Sequence, residues 1–400
     1  MTVEAVNFQW LDQPAALASL QVEWQQLAAT TGADIFLTPD WFALWWQHFG
    51  AGCRLACLVV RQGGALTGLL PFCIDSIRLG PIRLRVARLA GTDPHCMVFT
   101  LPVLPEIGPH VLRQACDHLL ASAGCDAISL TPLSERAGFR PWIIPAAGQQ
   151  VTDRPAGTHV MFELPDSFDA YMAGLSKNRR AQVRRDLRGL ESRYAMQTRV
   201  IRPDAAAFAE FVGFHNRQWQ AVGKGGHFED WPGSAAFYSA VAERSRPGWG
   251  VRFDLQDGTG ADGGPVPLAA NFQLISGPTA HWRLPARTLD SEAEKLSIGK
   301  AAVVLMIEGL ISSGIRRIEA GRGEYDYKIW LGGENVLVHG LLISPATAAG
   351  RLRLRLLLWA SDLINLLHYR IWFLKLAPVL RHKLGWKPRP LWRLWIRTRV

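Results

Sequence analysis

Residues 291–333 read SEAEKLSIGKAAVVLMIEGLISSGIRRIEAGRGEYDYKIWLGG, and the order of elements in this stretch decides the fold. After Ser297-Ile298-Gly299-Lys300, apolar residues recur at Ala302, Val303, Met306, Ile307, Leu310 and Ile311, the spacing of one helical face. Ser297 stands where a capping side chain is expected, and Gly299 leaves room for a ligand to approach the first turn. Gly314 ends the helix, and residues 315–319 are expected to form a short strand. A glycine-flanked loop, Gly321-Arg322-Gly323-Glu324, then leads into Tyr325-Asp326-Tyr327-Lys328-Ile329-Trp330. A helix start exposes unpaired N–H groups and a partial positive charge, so it can hold a phosphate. The charged loop after the neighbouring strand would then face whatever that phosphate carries. The plain alternative is an ordinary amphipathic helix–turn–strand unit.

The same order of elements occurs earlier in the chain. ASAGCDAISL (121–130) and ISSGIRRIEA (311–320) both read as helix end, glycine, strand. Residues 55–60 and 66–72 flank Gln62-Gly63-Gly64 as a hairpin, and residues 251–255 and 268–275 flank the turn-rich 257–267 as another. Two such units predict a duplicated α/β module with mixed sheets flanked by helices. The domain boundaries drawn from this pattern are 1–165, 166–345 and a basic helical tail at 346–400. Thr38-Pro39-Asp40-Trp41 marks a further helix start, with Trp41, Trp45 and Trp46 expected in the core.

Six cysteines (Cys53, Cys57, Cys73, Cys96, Cys116, Cys125) lie in the first third and form neither a CxxC pair nor a zinc set. They are expected to be reduced thiols, and no metal is expected. The start of the chain, MTVEAVNFQWLDQP, lacks the basic and apolar regions of a signal peptide, which predicts a cytoplasmic protein. The net charge of +10 is uneven: residues 351–400 hold 12 Lys or Arg against the single acid Asp362, leaving 32 basic and 33 acidic residues in 1–350.

Residues 175–188, LSKNRRAQVRRDLR, carry six Lys or Arg at helical spacing behind the cap Ser176. Such a run is either a solvated face or an anion site. Residues 208–220, FAEFVGFHNRQWQ, form a helix bearing His215, Arg217 and Trp219, followed by the loop Gly223-Lys224-Gly225-Gly226-His227-Phe228.

Together TPDWFALWWQHFG, LSKNRRAQVRRDLRGLE, HNRQW, GGHF, the SIGK helix start and EAGRGEYDYKIW resemble the CelD-like acetyltransferases. These are a bacterial group of the GNAT superfamily associated with polysaccharide and cell-envelope synthesis. The resemblance covers about residues 8–345. It implies two tandem GNAT-like domains, related in fold to the Fem-type peptidyltransferases. It also implies acetyl-CoA or another acyl-CoA as donor and an amine or hydroxyl of an envelope sugar or lipid-linked molecule as acceptor. Carried onto this chain, Ser297, Ile298, Gly299 and Lys300 would hold the donor pyrophosphate. Acyl transfer needs a base, and His215, His227, Glu319, Glu324 and Asp326 are available, with Glu324 and Asp326 preferred and His215 next. Lys177, Asn178, Arg180, Trp219, His227, Arg322, Tyr327 and Lys328 are the expected substrate-binding residues. Two other readings stand beside it: a Fem-like transferase using aminoacyl-tRNA, and a non-catalytic scaffold at a membrane. Basic residues are scarce in 1–350 outside 177–188, so a nucleic-acid partner ranks lower.

The tail makes its own case. Residues 351–376, RLRLRLLLWASDLINLLHYRIWFLKL, place polar residues near helical spacing against a Leu-, Ile-, Phe- and Trp-rich face. Pro378 is expected to break this helix. Beyond it, Arg381, Lys383, Lys387, Arg389, Arg393, Arg397 and Arg399 interleave with Trp386, Trp392 and Trp395. The uncharged run 356–361 is shorter than the about 20 residues that cross a bilayer, so the tail reads as a peripheral anchor on an anionic inner-membrane surface.

Overall fold

The computed structural model describes residues 5–93, 95–221, 226–260, 263–384 and 395–396, with the main chain alone at 229–230 and 381–384. The loop residues Gly223, Lys224 and Gly225 and the tail residues Lys387, Arg389, Arg393, Arg397, Arg399, Trp386 and Trp392 lie outside the described residues, as do the side chains of Arg381 and Lys383.

The chain divides into two compact units, Met1–Gly157 with Leu337–Val400, and Thr158–Val336. These boundaries fall at 157/158 and 336/337 instead of 165/166 and 345/346, and the tail groups with the first unit instead of standing apart. Two long strands explain the shift: β7 (Gln149–Glu163) and β13 (Glu334–Pro345) each run through a boundary that the sequence placed in a loop.

In the first unit the strands are β1 (Val6–Leu11), β2 (Cys53–Gln62), β3 (Ala65–Leu79), β4 (Ile82–Leu89), β5 (Ala127–Ser129) and the short β6 (Leu133–Ser134). They pair in the order β1-β2-β3-β4-β5-β13, with β6 on β13. The Gln62-Gly63-Gly64 hairpin forms as expected, between Cys53–Gln62 and Ala65–Leu79. The helix Pro39–Phe49 also forms, but Thr38 does not cap it with its side chain. Its hydroxyl instead donates to the Ile35 carbonyl at 2.7 Å. Trp41 and Trp45 are buried and Trp46 is half-buried, and the Trp41 indole N–H donates to the Gly91 carbonyl at 2.8 Å. All six cysteines are free thiols.

The second unit contains β8 (Gln197–Ile201), β9 (Trp249–Thr259), β10 (Pro265–Ser276), β11 (Thr279–Arg287) and β12 (Arg317–Arg322), ordered β7-β12-β11-β10-β9-β8. The pairings β1/β2, β2/β3 and β3/β4 are antiparallel and β4/β5 is parallel, and β8/β9, β9/β10, β10/β11 and β11/β12 repeat that pattern. In each case a helix makes the parallel crossover, Gly108–Asp117 in the first unit and Ile298–Ser312 in the second. The expected fold class, two tandem mixed α/β modules flanked by helices, is the one observed.

The helix Ile298–Ser312 is covered more completely than a one-face pattern suggests. Nine of its residues are buried, including Ala301 and Val304 beside the six predicted. The sheet lies on one side and the helices Phe168–Gly174 and Lys177–Tyr194 on another. Val303, Val304, Met306, Ile307 and Leu310 pack with Val160, Phe162, Trp282, Ile318 and Ala320. Each large aliphatic side chain buried there contributes roughly 1.5–3 kcal/mol. The opposite face of this sheet is aromatic: Phe208 and Phe211 of the helix Ala205–Ala221 meet Phe253 and Phe272 at 4.7–5.9 Å between ring centroids.

Candidate functional site

Strand β11, which the sequence reading passed over, is the axis of the site. Its parallel pairing with β12 covers only Thr279↔Arg317, Ala280↔Ile318 and His281↔Glu319. On its other side it stays paired to β10 as far as Arg287, with a register shift that makes Arg283 the extra residue. The two parallel strands therefore part after His281. Gly321, with φ +80, turns β12 away at that point. From Trp282 to Arg287 the strand extends about 16 Å beside this opening.

At the near end lies Lys328, on the short helix Asp326–Trp330. It is 7% exposed, and its ammonium donates to the Ala320 carbonyl at 2.5 Å. The rings of Tyr325, Trp282 and Tyr327 surround it at 4.4, 5.0 and 5.9 Å. Burial pushes the Lys328 amine down to about 8, although the Glu319 carboxylate favours its charged form. Burial pushes the hydroxyl of Tyr327 upward, so it stays protonated. Glu319 lies behind this lysine, fully buried, accepting from the Gly321 N–H at 2.9 Å. The buried imidazoles of His159 and His281 approach it at 3.4 and 3.9 Å. Burial alone would raise the Glu319 carboxyl, but the two imidazoles outweigh it and hold the group below the usual range.

In the middle of β11, His215 reaches from its helix to the Pro285 carbonyl with Nδ1 at 3.0 Å. Its Nε2 accepts the His227 N–H at 3.3 Å. Both ring nitrogens thus serve backbone groups, and burial brings the imidazole down to about 4. With both nitrogens engaged, the ring holds β11 in place. Trp219 packs beside it, ring centroids 6.1 Å apart, and the partly buried His227 ring faces Trp231 at 5.7 Å.

The helix Ile298–Ser312 begins at the far end of β11. A Cβ added at Gly299 would meet the Arg287 Cδ at 3.3 Å, which brings the helix start against the end of the strand. Ser297 occupies the capping position with φ +53 and makes no capping bond, contrary to the sequence expectation. A short helix, Ser291–Lys295, precedes it, and Asp290 caps that one through the Glu292 N–H. The acids of this segment are each engaged: Glu294 with Arg287 at 2.6 Å, Glu292 with Lys295 at 2.7 Å, and Asp290 with the Tyr194 hydroxyl at 2.8 Å. Lys300 lies over the Trp330 ring at 4.8 Å, with Arg179 near the same ring at 5.9 Å.

Of the remaining predicted residues, Lys177 and Asn178 are exposed in the first turn of the helix Lys177–Tyr194, whose Ser176 cap accepts from the Arg179 N–H. Arg180, half-buried, donates from its guanidinium to the Met172, Ala173 and Leu175 carbonyls, each at 3.0 Å, and so closes the end of the preceding helix. Arg322 is half-buried at the end of β12, while Glu324 and Asp326 are exposed. The structure thus brings Lys328, Tyr327 and Trp282 together at one end of the opening and Gly299, Lys300 and Arg287 at the other. Trp282 and Arg287 were missed because their strand has Pro285 in its middle and no period-2 pattern. Among the described residues no cluster of His, Cys, Asp or Glu is arranged to hold a metal.

Residues 177–329 match the acetyltransferase (GNAT) domain family, a region that contains β11, β12, the helix Ile298–Ser312 and Lys328. No curated protein matches the chain in sequence. Among solved structures, FemX aligns at 10% identity over 81% of this chain and 96% of its own, with a TM-score of 0.59, a similarity of fold. A tandem GNAT protein from the clavulanic acid biosynthesis pathway aligns at 17% identity over 86% and 99% with a TM-score of 0.43. The L-PGS of Bacillus licheniformis aligns at 9% over 86% and 96% with 0.48. The second unit thus contains the region matched by the acetyltransferase (GNAT) domain model, and the chain is similar in fold to FemX.

Proposed function

We propose that the protein is an acyl-CoA-dependent acyltransferase, with acetyl-CoA as the simplest donor. Its acceptor is read as an amine or hydroxyl of an envelope sugar or lipid-linked molecule, handled at the cytoplasmic side. The observation that carries this reading is the opening between β11 and β12 with a helix N-terminus at one end and a buried lysine at the other. The helix start at Ile298–Lys300 fits a pyrophosphate, since Glu294 and Glu292 are already paired with Arg287 and Lys295, and Lys300 adds positive charge. The thioester would lie along the β11 edge, its carbon open to the acceptor. The Lys328 ammonium, desolvated by three aromatic rings, is suited to steady charge that develops on the thioester oxygen. Glu324 and Asp326, exposed at the mouth, are the candidate bases for the acceptor's proton, and Arg322 and Tyr327 line the approach.

Titration calorimetry with acetyl-CoA tests the donor. Gly299→Val should weaken binding at least about tenfold while the protein stays folded, because the side chain it meets is the flexible Arg287. If the folded variant binds acetyl-CoA like the parent, the donor site lies elsewhere. Glu324→Gln and Asp326→Asn should lower turnover with little change in melting temperature.

A second reading, transfer from aminoacyl-tRNA as in the Fem-like alternative, draws on the exposed Lys177, Arg184, Arg185 and Arg188 along one helix. Salt-sensitive retention of charged tRNA, without acetyl-CoA binding, would favour it.

A further inference from the structure

The last described helix leaves a large apolar surface uncovered. It runs without a break through Ala348–Ile364, Asn365–Leu376 and Ala377–Leu384, so Pro378 does not end it as the sequence suggested. The middle segment closes with i→i+5 bonds, as from the Ala377 N–H to the Trp372 carbonyl. One side is docked: Leu354 and Leu357 pack on Ile77, Leu84, Val86 and Leu342 of the first unit. Arg353 holds Asp126 at 2.6 Å, and Arg154 holds Asp362 at 3.0 Å.

The rest of the helix carries two exposed stripes. Leu352, Trp359, Leu367, Ile371 and Leu376 form the apolar one, with Trp359 63% exposed. Arg351, Arg355, Arg370 and Lys375 form the basic one, and three of these four immediately precede a member of the apolar stripe. At 3.6 residues per turn, Ile371 and Lys375 would rotate toward the docked side. The wider turns of 365–376 keep both stripes facing out along the full length. Trp395 returns to this helix, bonding the Asn365 side chain at 3.1 Å and stacking on Tyr369 at 5.7 Å.

We propose that residues 348–380 are the surface by which the protein lies flat on an anionic lipid bilayer. An apolar stripe that includes Trp359, beside a basic stripe, matches the boundary between acyl chains and charged headgroups. A soluble protein partner would gain little from two separate pairs of exposed cations, Arg351 with Arg355 and Arg370 with Lys375, whereas an anionic surface engages all four. At 33 residues, Ala348–Leu380 is long and apolar enough to cross a membrane by length and composition. Crossing would require stripping Leu354 and Leu357 from their sheet and placing the Arg353–Asp126 and Arg154–Asp362 pairs in hydrocarbon. The helix therefore lies along the surface.

Flotation of the full chain with vesicles tests this, independently of any acyl transfer. The protein should float with phosphatidylcholine–phosphatidylglycerol vesicles, not with phosphatidylcholine alone, and salt or alkaline carbonate should release it. Trp359→Glu with Ile371→Glu, and separately Arg370→Glu with Lys375→Glu, should each reduce binding at least about tenfold at an unchanged melting temperature. Quenching of tryptophan emission by brominated lipid should fall in Trp359→Phe, a change that leaves charge and packing intact. Four outcomes overturn the proposal: no flotation of the folded parent, variants that float like it, a membrane fraction that resists carbonate, or variants that only dissociate an oligomer.

Discussion

Lys328 shows how one buried charge links stability to chemistry. Its amine falls from 10.5 in the unfolded chain to about 8 in the fold, so between these values the unfolded state binds more protons. Stability should therefore rise as pH climbs from about 8 to 10.5, and below 8 the protein carries a constant penalty of about 3 kcal/mol. Urea midpoints at pH 7.5 and 10 should show this gain in the parent and not in Lys328→Met, once the behaviour common to both is subtracted. Equal slopes would mean that the ammonium is not desolvated as the three rings imply. His215 makes the opposite kind of residue, a histidine that titrates too low to act near neutrality. His215→Ala leaves the Pro285 carbonyl and the His227 N–H without their partner and should cost about 1–3 kcal/mol. Any activity the variant keeps should have the parent's pH profile; loss of an ionisation near 6 would restore the histidine to the chemistry.

Among the elements, the helix Ile298–Ser312 was readable from its apolar spacing, yet its closest contact was not. A Cβ at Gly309 would lie 2.8 Å from the Arg252 Nη2 and 2.9 Å from the Asp254 Oδ1. Those two groups are buried and bound to each other by two bonds of 2.9 Å, so neither can give way cheaply. Gly309→Ala should cost about 1–3 kcal/mol in chemical denaturation, although alanine is the better helix former. A stabilised variant would mean that the helix rides higher on the sheet. Gly299, 3.3 Å from a flexible arginine, should accept alanine with little loss of stability. The contrast arises because one glycine faces a fixed ion pair and the other a movable side chain.

For the whole molecule, a ligand that binds only the folded chain stabilises it by mass action. Acetyl-CoA at 100 times its dissociation constant should add about 2.7 kcal/mol, and Gly299→Val, at least about tenfold weaker in binding, should lose about half of that shift or more. Unchanged melting of the parent at millimolar acetyl-CoA would count against the donor reading. The repeated order of hairpin, helix and strand was legible in the sequence because it rests on local rules: period of apolar residues, glycine stops and turn chemistry. Local rules also marked the basic, tryptophan-rich tail and placed Tyr327 and Lys328 in one loop. They did not reveal β11, since Pro285 and Arg283 interrupt its pattern, nor β7 and β13, whose length moved both domain boundaries. The sequence offered Arg180 for substrate and His215 as a base, but it did not show their bonds within the fold, Arg180 to the carbonyls of the preceding helix and His215 to the Pro285 carbonyl and the His227 N–H. The sequence by itself determined that strongly periodic segments such as Ile298–Ser312 are helices, where the Gln62-Gly63-Gly64 hairpin turns and where charge collects, because those follow from neighbours a few residues apart. Only the tertiary structure decided that the parallel strands part after His281 and that Lys328 is desolvated beside Trp282, because both depend on segments some 40 residues apart meeting in space.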